Sequence, residues 1–283
     1  MSEMRAFVTD LARTGGAIAR EHFRHVAEKD IRTKGSRDFV SHVDHLVEDA
    51  IVRRIRSRFP EHRIMGEEGG SHRADNDDEH PVEDHQPLWI IDPVDGTTNF
   101  LHGIPLFAVS IAFCVDGEPV DAVVYDPVRD EAFIAEKGAG LWVNRDRVEV
   151  SSCRELSRAV LASALPFRFP QIIDDALAVL GAVQRRCDDH RRSGSAALDL
   201  AYVAAGRLDG YYEIGIHPWD VAAGELLVRC GGGIATDFRA KTDGLTARRS
   251  ILCAATPELH AALIDQIQPL LRWLDVPPLA TTP

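Results

Sequence analysis

An apolar segment that leads directly into two aspartates stands out in the first half of the chain. Leu88-Trp89-Ile90-Ile91 is a short apolar run of the kind that forms a buried strand, here predicted to end at Asp92. Pro93 then sets a turn, so that Asp92 and Asp95 can converge on one point. Because α/β sheets place functional residues at the ends of their strands, this segment predicts a site at a sheet edge.

The residues that follow Asp95 are suited to binding an anion. Gly96-Thr97-Thr98 offers backbone N–H groups and hydroxyls, the materials of an anion nest or a helix N-terminus. Two carboxylates beside such donors make chemical sense mainly if a hard cation joins them. The alternative is an Asx-rich turn that simply ends a strand.

One class of phosphatase is excluded by the same segment. Haloacid-dehalogenase-type phosphatases carry Asp-x-Asp-Gly-Thr after a strand and use the first aspartate as a nucleophile. The corresponding position in this chain is Pro93, whose side chain has no nucleophilic group.

Two further acidic motifs accompany the first. Gly66-Glu67-Glu68-Gly69 places two carboxylates in a glycine-flanked turn, which alone is typical of a solvated turn. His217-Pro218-Trp219-Asp220 opens a predicted helix, with Asp220 in its first turn, where a carboxylate is favoured by the helix dipole. Simple helix capping is the alternative role for Asp220.

The hydrophobic pattern divides the chain into two halves. The first contains predicted helices over 7–23 and 43–59 and an antiparallel meander over 107–142. In the second, helices alternate with short strands, which is typical of layered α/β folds. We therefore predict an α/β (layered α+β) protein with an N-terminal half at 1–150, a C-terminal half at 151–275 and a loose tail at 276–283.

The net charge of −12 is concentrated rather than spread. Residues 71–86 hold six acids against one arginine and predict a mobile surface loop, which we hypothesise to order when metal binds. The candidate site adds more acids, so a general nucleic-acid-binding surface is disfavoured. His72, His80 and His85 raise the alternative of a zinc site, but their loop context favours solvated histidines.

Composition limits the protein to soluble, intracellular classes. No stretch of about 18 apolar residues exists, so no membrane span is predicted. The five cysteines form no CxxC pair, which argues against a disulfide framework or a zinc ribbon and favours a reducing cytoplasm. The N-terminal residues lack the apolar core of a signal peptide.

Taken together, the acidic motifs resemble those of the inositol monophosphatase family of magnesium-dependent, lithium-sensitive phosphatases. The resemblance is carried by Gly66-Glu67-Glu68, by 89–100 and by 211–233, with Asp38-Phe39-Val40 and Asp44, and it extends from about Arg5 to Leu271. It implies an alternating αβαβα sandwich of the sugar-phosphatase type. It also implies a homodimer, which the spacing of residues does not reveal.

The resemblance implies two to three Mg²⁺ ions per active site, with Li⁺ as an inhibitor. Glu67, Asp92 and the Val94 carbonyl would bind a first ion, and Asp92, Asp95 and Asp220 a second, with Asp92 bridging. Glu67 and Asp44 would help to hold a third, weaker ion, while the role of Glu68 is less defined. The implied catalytic residues are Glu67, Thr97 and Asp44, with Thr97 paired to Asp44 to orient the attacking water.

The resemblance also assigns the substrate side. Phosphate contacts would come from Gly96, Thr97 and Thr98, and the remaining implied substrate-binding residues are Gly194, Ser195, Ala196, Glu213 and Asp220. Glu213 would accept hydrogen bonds from ring hydroxyls, and its charge disfavours a bisphosphorylated nucleotide. The preferred substrate is therefore myo-inositol-1-phosphate or a related polyol phosphate. Fructose 1,6-bisphosphate and histidinol phosphate are the alternatives, since a fold does not select a substrate.

A regulatory role is the alternative from another class. Some bacterial members of the family also associate with the transcription apparatus. The sequences Gln184-Arg185-Arg186 and His190-Arg191-Arg192 form a local basic run that could contact such a partner. A solvated helix end, where arginines complement the dipole, is the simpler interpretation.

Overall fold

The computed structural model describes residues 2–25, 31–35, 38–72, 86–167, 169–242, 245 and 250–274, with side chains described outside 31–40 and 70–72. This part of the chain forms seven α-helices: α1 Glu3–His22, α2 His42–Arg58, α3 Thr97–Leu101, α4 Ile173–Gln184, α5 Ala196–Ala204, α6 Pro218–Cys230 and α7 Pro257–Ile267. Its strands are β1 Ile31–Gly35, β2 Asp38–Ser41, β3 Arg63–Gly66, β4 Gly70–His72, β5 Leu88–Asp95, β6 Ala108–Val115, β7 Glu118–Asp126, β8 Glu131–Glu136, β9 Gly140–Val143, β10 Asp146–Arg147, β11 Val160–Ser163, β12 Asp189–Arg191, β13 Gly210–Ile214, β14 Ile234–Thr236 and β15 Ser250–Ala254.

A large sheet of eight strands carries most of the first half. Its order is β10-β9-β8-β7-β6-β5-β3-β4, and only the pair β3 and β5 runs parallel. The antiparallel meander predicted over 107–142 is confirmed as β6 to β9. Strands β1 and β2 form a separate antiparallel pair.

A second sheet of five strands lies in the second half of the chain. Its order is β12-β11-β13-β15-β14. Strands β12, β11 and β13 run parallel, whereas β15 is antiparallel to both of its neighbours. The sheet is therefore mixed, as is common where an α/β sheet has an added antiparallel edge.

Helices and sheets alternate in layers, as predicted. Helices α1 and α2 cover one face of the large sheet, and α5 and α6 fill the space between the two sheets. Helices α4 and α7 cover the outer face of the small sheet. Since both faces of each sheet are covered, central strands such as β5 and β15 are buried at every residue rather than at alternate ones.

Strand β5 shows where the sequence prediction was wrong by a few residues. The strand was predicted to end at Asp92, but it continues to Asp95, with a register shift against β6 between these two aspartates. Pro93 lies in this bulge, where its missing N–H breaks no ladder hydrogen bond. On the other side of β5, pairing with β3 ends at Ile91, so Asp92 still lies where a parallel neighbour stops.

The predicted helices are present, with bounds shifted by a few residues. The last helix, α7, changes at Gln268 into a 3₁₀ segment that contains a proline. Strands β3, β4, β12 and β14 were not predicted, because each has only three or four residues and little hydrophobic alternation. Short strands of this kind depend on their neighbours rather than on their own sequence.

Two predictions fall largely outside the described residues: most of the loop at 71–86 and the tail at 276–283. The division into halves at residue 150 stays a proposal, and core contacts cross it, because α5 and α6 pack on the large sheet. No described helix is long and apolar enough to span a bilayer.

Candidate active site

Three carboxylates from two distant parts of the chain meet in one cavity. Asp92 and Asp95 lie on β5, and Asp220 is the third residue of α6. One carboxylate oxygen from each lies within 4.8 Å of the other two. The backbone N–H of His217 donates to Asp220 Oδ2 at 2.8 Å, so Asp220 closes the start of α6 and also faces the cavity. Asp220 therefore both caps the helix and belongs to the cavity wall.

Burial and mutual repulsion make these carboxylates hard to ionise. Asp92 is only 1% exposed, and its burial, followed by the charges of Glu67, Asp95 and Asp220, holds its pKa well above the usual range. Burial likewise raises the pKa of Asp220 well above its usual range and that of Asp95 to about 6. The cluster is therefore electrostatically unfavourable by itself and would be stabilised by a bound cation.

The chemistry of the cavity fits a hard cation. Its described lining offers oxygen donors, including the carboxylates of Glu67, Asp92, Asp95 and Asp220, and contains no histidine or cysteine. Val94 lies on the same wall, and its N–H donates to Asp92 Oδ1 at 3.0 Å, which fixes the orientation of that carboxylate. Mg²⁺ prefers oxygen ligands of this kind, whereas zinc sites usually include nitrogen or sulfur.

Asp95 is anchored by the segment that begins α5. Its Oδ2 accepts hydrogen bonds from the Ser195 hydroxyl and from the Ala197 N–H, the latter at 2.8 Å. These contacts lower the pKa of Asp95 and partly oppose the effect of burial. Ser195 was predicted to contact substrate; it lines the cavity, but its hydroxyl is directed to Asp95. Sequence spacing gave no signal for this contact across 100 positions.

Thr97 connects the cavity to a buried carboxylate behind it. Its Oγ1 lies 3.2 Å from Asp44 Oδ1 and 3.1 Å from the Val94 carbonyl oxygen. Asp44 is fully buried near the start of α2, where its Oδ2 accepts from the Ser41 N–H at 2.9 Å and from the Ser41 hydroxyl at 2.6 Å. The Asp44 side chain is thus rigidly held, and it can orient the Thr97 hydroxyl.

The end of the cavity beside α3 is suited to phosphate. Gly96 caps this short helix with φ +94, in the left-handed region that favours glycine. A Cβ at Gly96 would also lie 2.9 Å from the Leu106 carbonyl oxygen. Gly96, Thr97 and Thr98 all line the same cavity as the carboxylate cluster.

The cavity lining also carries polar groups that can form hydrogen bonds, among them Asp199, Tyr211 and Glu213. Glu213 on β13 accepts a hydrogen bond from the buried Tyr211 hydroxyl. Asp199, in the first turn of α5, is 3% exposed, and burial raises its pKa to about 8. Asp199 and Tyr211 were not predicted as site residues, because each looks like ordinary core sequence in α5 and β13.

The cavity has a volume of about 120 Å³, and most of the predicted site residues line it. Those on its wall are Glu67, Asp92, Val94, Asp95, Gly96, Thr97, Thr98, Gly194, Ser195, Ala196, Glu213 and Asp220. Asp44 lies behind Thr97, and Glu68 is not on the wall. The lining residues to which the sequence assigned no individual role are Ala164, Phe167, Arg192, Asp199 and Tyr211; of these, Arg192 and Tyr211 lie in the segments 192–197 and 211–213, which were expected to shape the alcohol side of the site.

Comparison with known proteins identifies the family of the chain. The model of the inositol monophosphatase family matches residues 1–272. The chain belongs to the inositol monophosphatase family. It is 44% identical over 238 residues to the Nus factor SuhB of Salmonella typhimurium strain LT2, an alignment that covers 84% of this chain and 86% of the relative.

Solved structures of the family share the whole fold. The extragenic suppressor protein SuhB from Bartonella henselae superposes with a TM-score of 0.85 at 34% identity, covering 94% of this chain and 99% of that one. The inositol monophosphatase from Anabaena has a TM-score of 0.80 at 34% identity, with coverage of 99% and 98%. These relatives support assignment of the chain as a phosphatase of this superfamily, with an acidic, metal-binding type of site.

Proposed function

We propose that the protein is a Mg²⁺-dependent phosphomonoesterase that hydrolyses myo-inositol-1-phosphate or a related polyol phosphate. The observation that supports this most strongly is the buried meeting point of Asp92, Asp95 and Asp220 beside the start of α3. A cation-binding cluster next to anion-binding donors is the arrangement that phosphate transfer requires. Family membership adds the phosphatase class.

The proposed roles are assigned to residues on the cavity wall and to Asp44 behind it. Glu67, Asp92 and the Val94 carbonyl would hold a first Mg²⁺, and Asp92, Asp95 and Asp220 a second; a third, held by Glu67 and Asp44, stays a prediction. When bound, such ions stabilise the negative charge that develops during phosphate transfer and make water more acidic. The N–H groups and hydroxyls of Gly96, Thr97 and Thr98 would bind the phosphate oxygens.

Thr97 would position the attacking water. Its hydroxyl can accept a hydrogen bond from water while donating to Asp44, which lies 3.2 Å away. Because Asp44 Oδ2 is held by two contacts from Ser41, the other oxygen, Oδ1, keeps a fixed direction toward Thr97. A correctly aligned attack is a large part of catalysis for reactions of this type.

The alcohol side of the cavity supports a polyhydroxylated leaving group. Glu213 provides an acceptor, and Tyr211 holds Glu213 in place. Burial raises the pKa of Asp199 to about 8, so this carboxyl is mostly protonated at neutral pH and can donate to a hydroxyl. A second phosphate near Glu213 would be repelled, which disfavours bisphosphorylated nucleotides. Glu213 would attract an ammonium group, so histidinol phosphate is the main competing substrate.

A phosphate-release panel tests the proposal. We expect the highest kcat/KM for myo-inositol-1-phosphate among that substrate, fructose 1,6-bisphosphate, histidinol phosphate and adenosine 3′,5′-bisphosphate, with activity that requires Mg²⁺ and is inhibited by Li⁺. Glu213→Gln should raise KM for inositol phosphate by about tenfold, the value of one charge-assisted hydrogen bond. The wild type supplies the reference for each substrate.

Two results would contradict the proposal at different levels. A preference for histidinol phosphate, with a larger loss on Glu213→Gln, would replace the substrate and keep the mechanism. Absence of Mg²⁺-dependent phosphate release from every substrate would overturn the proposed activity itself. A homodimer remains a prediction from the family resemblance, and a cytoplasmic location remains a prediction from the cysteine pattern.

A transcription-associated role is the second candidate function, favoured by the name Nus factor SuhB that the Salmonella relative carries. The predicted basic run is divided in the structure: Arg185 and Arg186 are exposed after α4, Arg191 pairs with Asp189, and Arg192 lines the cavity. Within this run, Arg185 and Arg186 are therefore the side chains best placed for such a contact.

The two roles can be separated by charge reversal. Arg185→Glu with Arg186→Glu should weaken binding to purified RNA polymerase and leave phosphate release within about twofold of wild type, because exposed substitutions away from special features change little. Arg53→Glu, at another exposed arginine on α2, is the matched control. Equal binding by wild type, the double variant and the control would exclude this surface.

A further inference from the structure

A buried carboxylate lies outside the cavity, directly behind the turn that carries Glu67. Glu48, in the middle of α2, is 4% exposed. Its Oε2 accepts the Glu68 N–H at 3.0 Å, and its Oε1 accepts the Gly69 N–H at 2.6 Å. One carboxylate therefore binds two successive backbone donors, and hydrogen bonds of this charge-assisted kind are stronger than neutral ones.

The residue before the turn fits tightly against the same carboxylate. A Cβ on Gly66 would lie 2.5 Å from Glu48 Oε2 and 2.8 Å from Oε1. Gly66 does not have a positive φ, so backbone conformation does not explain why glycine stands here. The close approach of Glu48 does explain it.

Glu67 is consequently held between two fixed points. On one side its own N–H donates to the Ile91 carbonyl of β5 at 3.2 Å, one residue before Asp92. On the other side the next two N–H groups are bound by Glu48. The side chain of Glu67 faces the cavity. The position of this carboxylate relative to Asp92 thus depends on a contact made by α2.

We propose that Glu48 is a positioning residue that fixes the turn at 67–69 and thereby sets the affinity of the site for Mg²⁺. This inference rests on the proposed function, since it concerns Mg²⁺ held by Glu67. Side chains that orient metal ligands affect binding strongly, and their loss usually costs about 10- to 100-fold in affinity. Glu48 would act in this way through backbone N–H groups rather than through the ligand side chain.

Two variants of Glu48 test the inference, with Asp49→Ala as control, because Asp49 is the exposed neighbour on the same helix. Glu48→Gln keeps the shape but offers one acceptor where two are needed, and Glu48→Ala offers none. We expect Mg²⁺ binding, measured by calorimetry with the metal alone, to weaken by about 10- to 100-fold in Glu48→Ala. Glu48→Gln should be intermediate and Asp49→Ala unchanged.

Kinetics separate positioning from a purely structural role. In Glu48→Gln the Mg²⁺ concentration for half-maximal activity should rise, while kcat at saturating Mg²⁺ recovers to within a few-fold of wild type. A substitution that only destabilised the fold would lower the melting temperature in EDTA without moving this concentration. Glu48→Gln also covers the case in which Glu48→Ala does not fold.

A double variant tests the contact with Gly66. Gly66→Ala alone should weaken Mg²⁺ binding, because the added methyl group displaces the Glu48 carboxylate. In the Glu48→Ala background the same change should add little further loss. Unchanged Mg²⁺ binding in both Glu48 variants would overturn the inference. The proposed function would stand in that case, provided that the wild type showed Mg²⁺-dependent activity. A wild type without Mg²⁺-dependent activity would instead overturn the proposed function.

Discussion

Asp92→Asn is expected to abolish Mg²⁺-dependent phosphate release while making the metal-free protein more stable. Asp92 is buried, and three other acids, Glu67, Asp95 and Asp220, raise its pKa together with burial. An uncharged amide of the same shape removes that repulsion but no longer serves two cations. Loss of several kcal/mol of charge stabilisation, at about 1.4 kcal/mol per tenfold, corresponds to a fall of about 10³-fold in kcat/KM.

Thermal melting in EDTA and in Mg²⁺ measures the stability half of this prediction. In EDTA at neutral pH the variant should melt several degrees above wild type, at roughly 2–4 °C for each kcal/mol of repulsion relieved. Mg²⁺ should raise the midpoint of wild type and have little effect on the variant. A substitution that raises the melting temperature in EDTA but removes the further rise caused by Mg²⁺ is specific to a cation site.

The pH dependence has a defined direction. Because the folded protein raises the pKa of Asp92, protonation favours folding, so the stability of the metal-free wild type falls as pH rises above the usual aspartate range. Below the ordinary aspartate pKa of about 3.9 the carboxyl is protonated in both the folded and the unfolded state. The advantage of Asp92→Asn should therefore be largest at neutral pH and small once the pH falls to that value.

Asp126 provides a matched control for burial. It is also fully buried, but it accepts hydrogen bonds from the Val128 and Arg129 N–H groups and pairs with the Arg129 guanidinium at 2.8 Å. Asp126→Asn should lower the melting temperature and leave the Mg²⁺-induced rise intact. If Asp92→Asn destabilised the metal-free protein as Asp126→Asn does, the interpretation of the cluster as a cation site would be wrong.

The sequence predicted the parts of the site that lie close together along the chain. Asp92, Asp95 and Gly96 occupy one short segment, so the strand and its turn bring them together before any other element packs. Asp220 was predicted in the first turn of a helix, and that placement is confirmed. Strong local patterns of this kind hold because β5 and α6 are central and largely buried, so packing and local sequence preference agree.

The contacts between helix and sheet layers could not be predicted from the sequence. The Ser195 hydroxyl reaches Asp95 because α5 lies between the two sheets, and nothing in the spacing of these residues reveals it. Glu48 looks like one more charge on an amphipathic helix, yet it is buried against the turn at 67–69. Such residues satisfy buried backbone donors in another element, a requirement that exists only once the layers have packed.

Function in this fold therefore depends on two kinds of residue with different sequence signatures. The acids that face the cavity occur in motifs, because a strand end and a helix start must each deliver them locally. The residues that hold those acids in place, among them Ser195 and Glu48, come from whichever helix packs behind. Substitution in the second group should change metal affinity or kcat without altering a motif.

Removal of the Thr97 hydroxyl is expected to cost about 10²- to 10³-fold in kcat, within the usual range for proton-transfer groups. Thr97→Val keeps the shape of the side chain but cannot connect water to Asp44 Oδ1, 3.2 Å from the hydroxyl. Calorimetric Mg²⁺ binding should stay near wild type, because the carboxylate cluster is intact. Thr97→Ser should recover most of the activity.

Asp44→Asn tests whether the hydroxyl acts through this carboxylate, and it should lower kcat to a similar extent. The double variant Thr97→Val with Asp44→Asn should be little worse than either single change, since both residues act on the same water. Losses that multiply in the double variant, or a Thr97→Ser variant as inactive as Thr97→Val, would show that the hydroxyl does not act through Asp44.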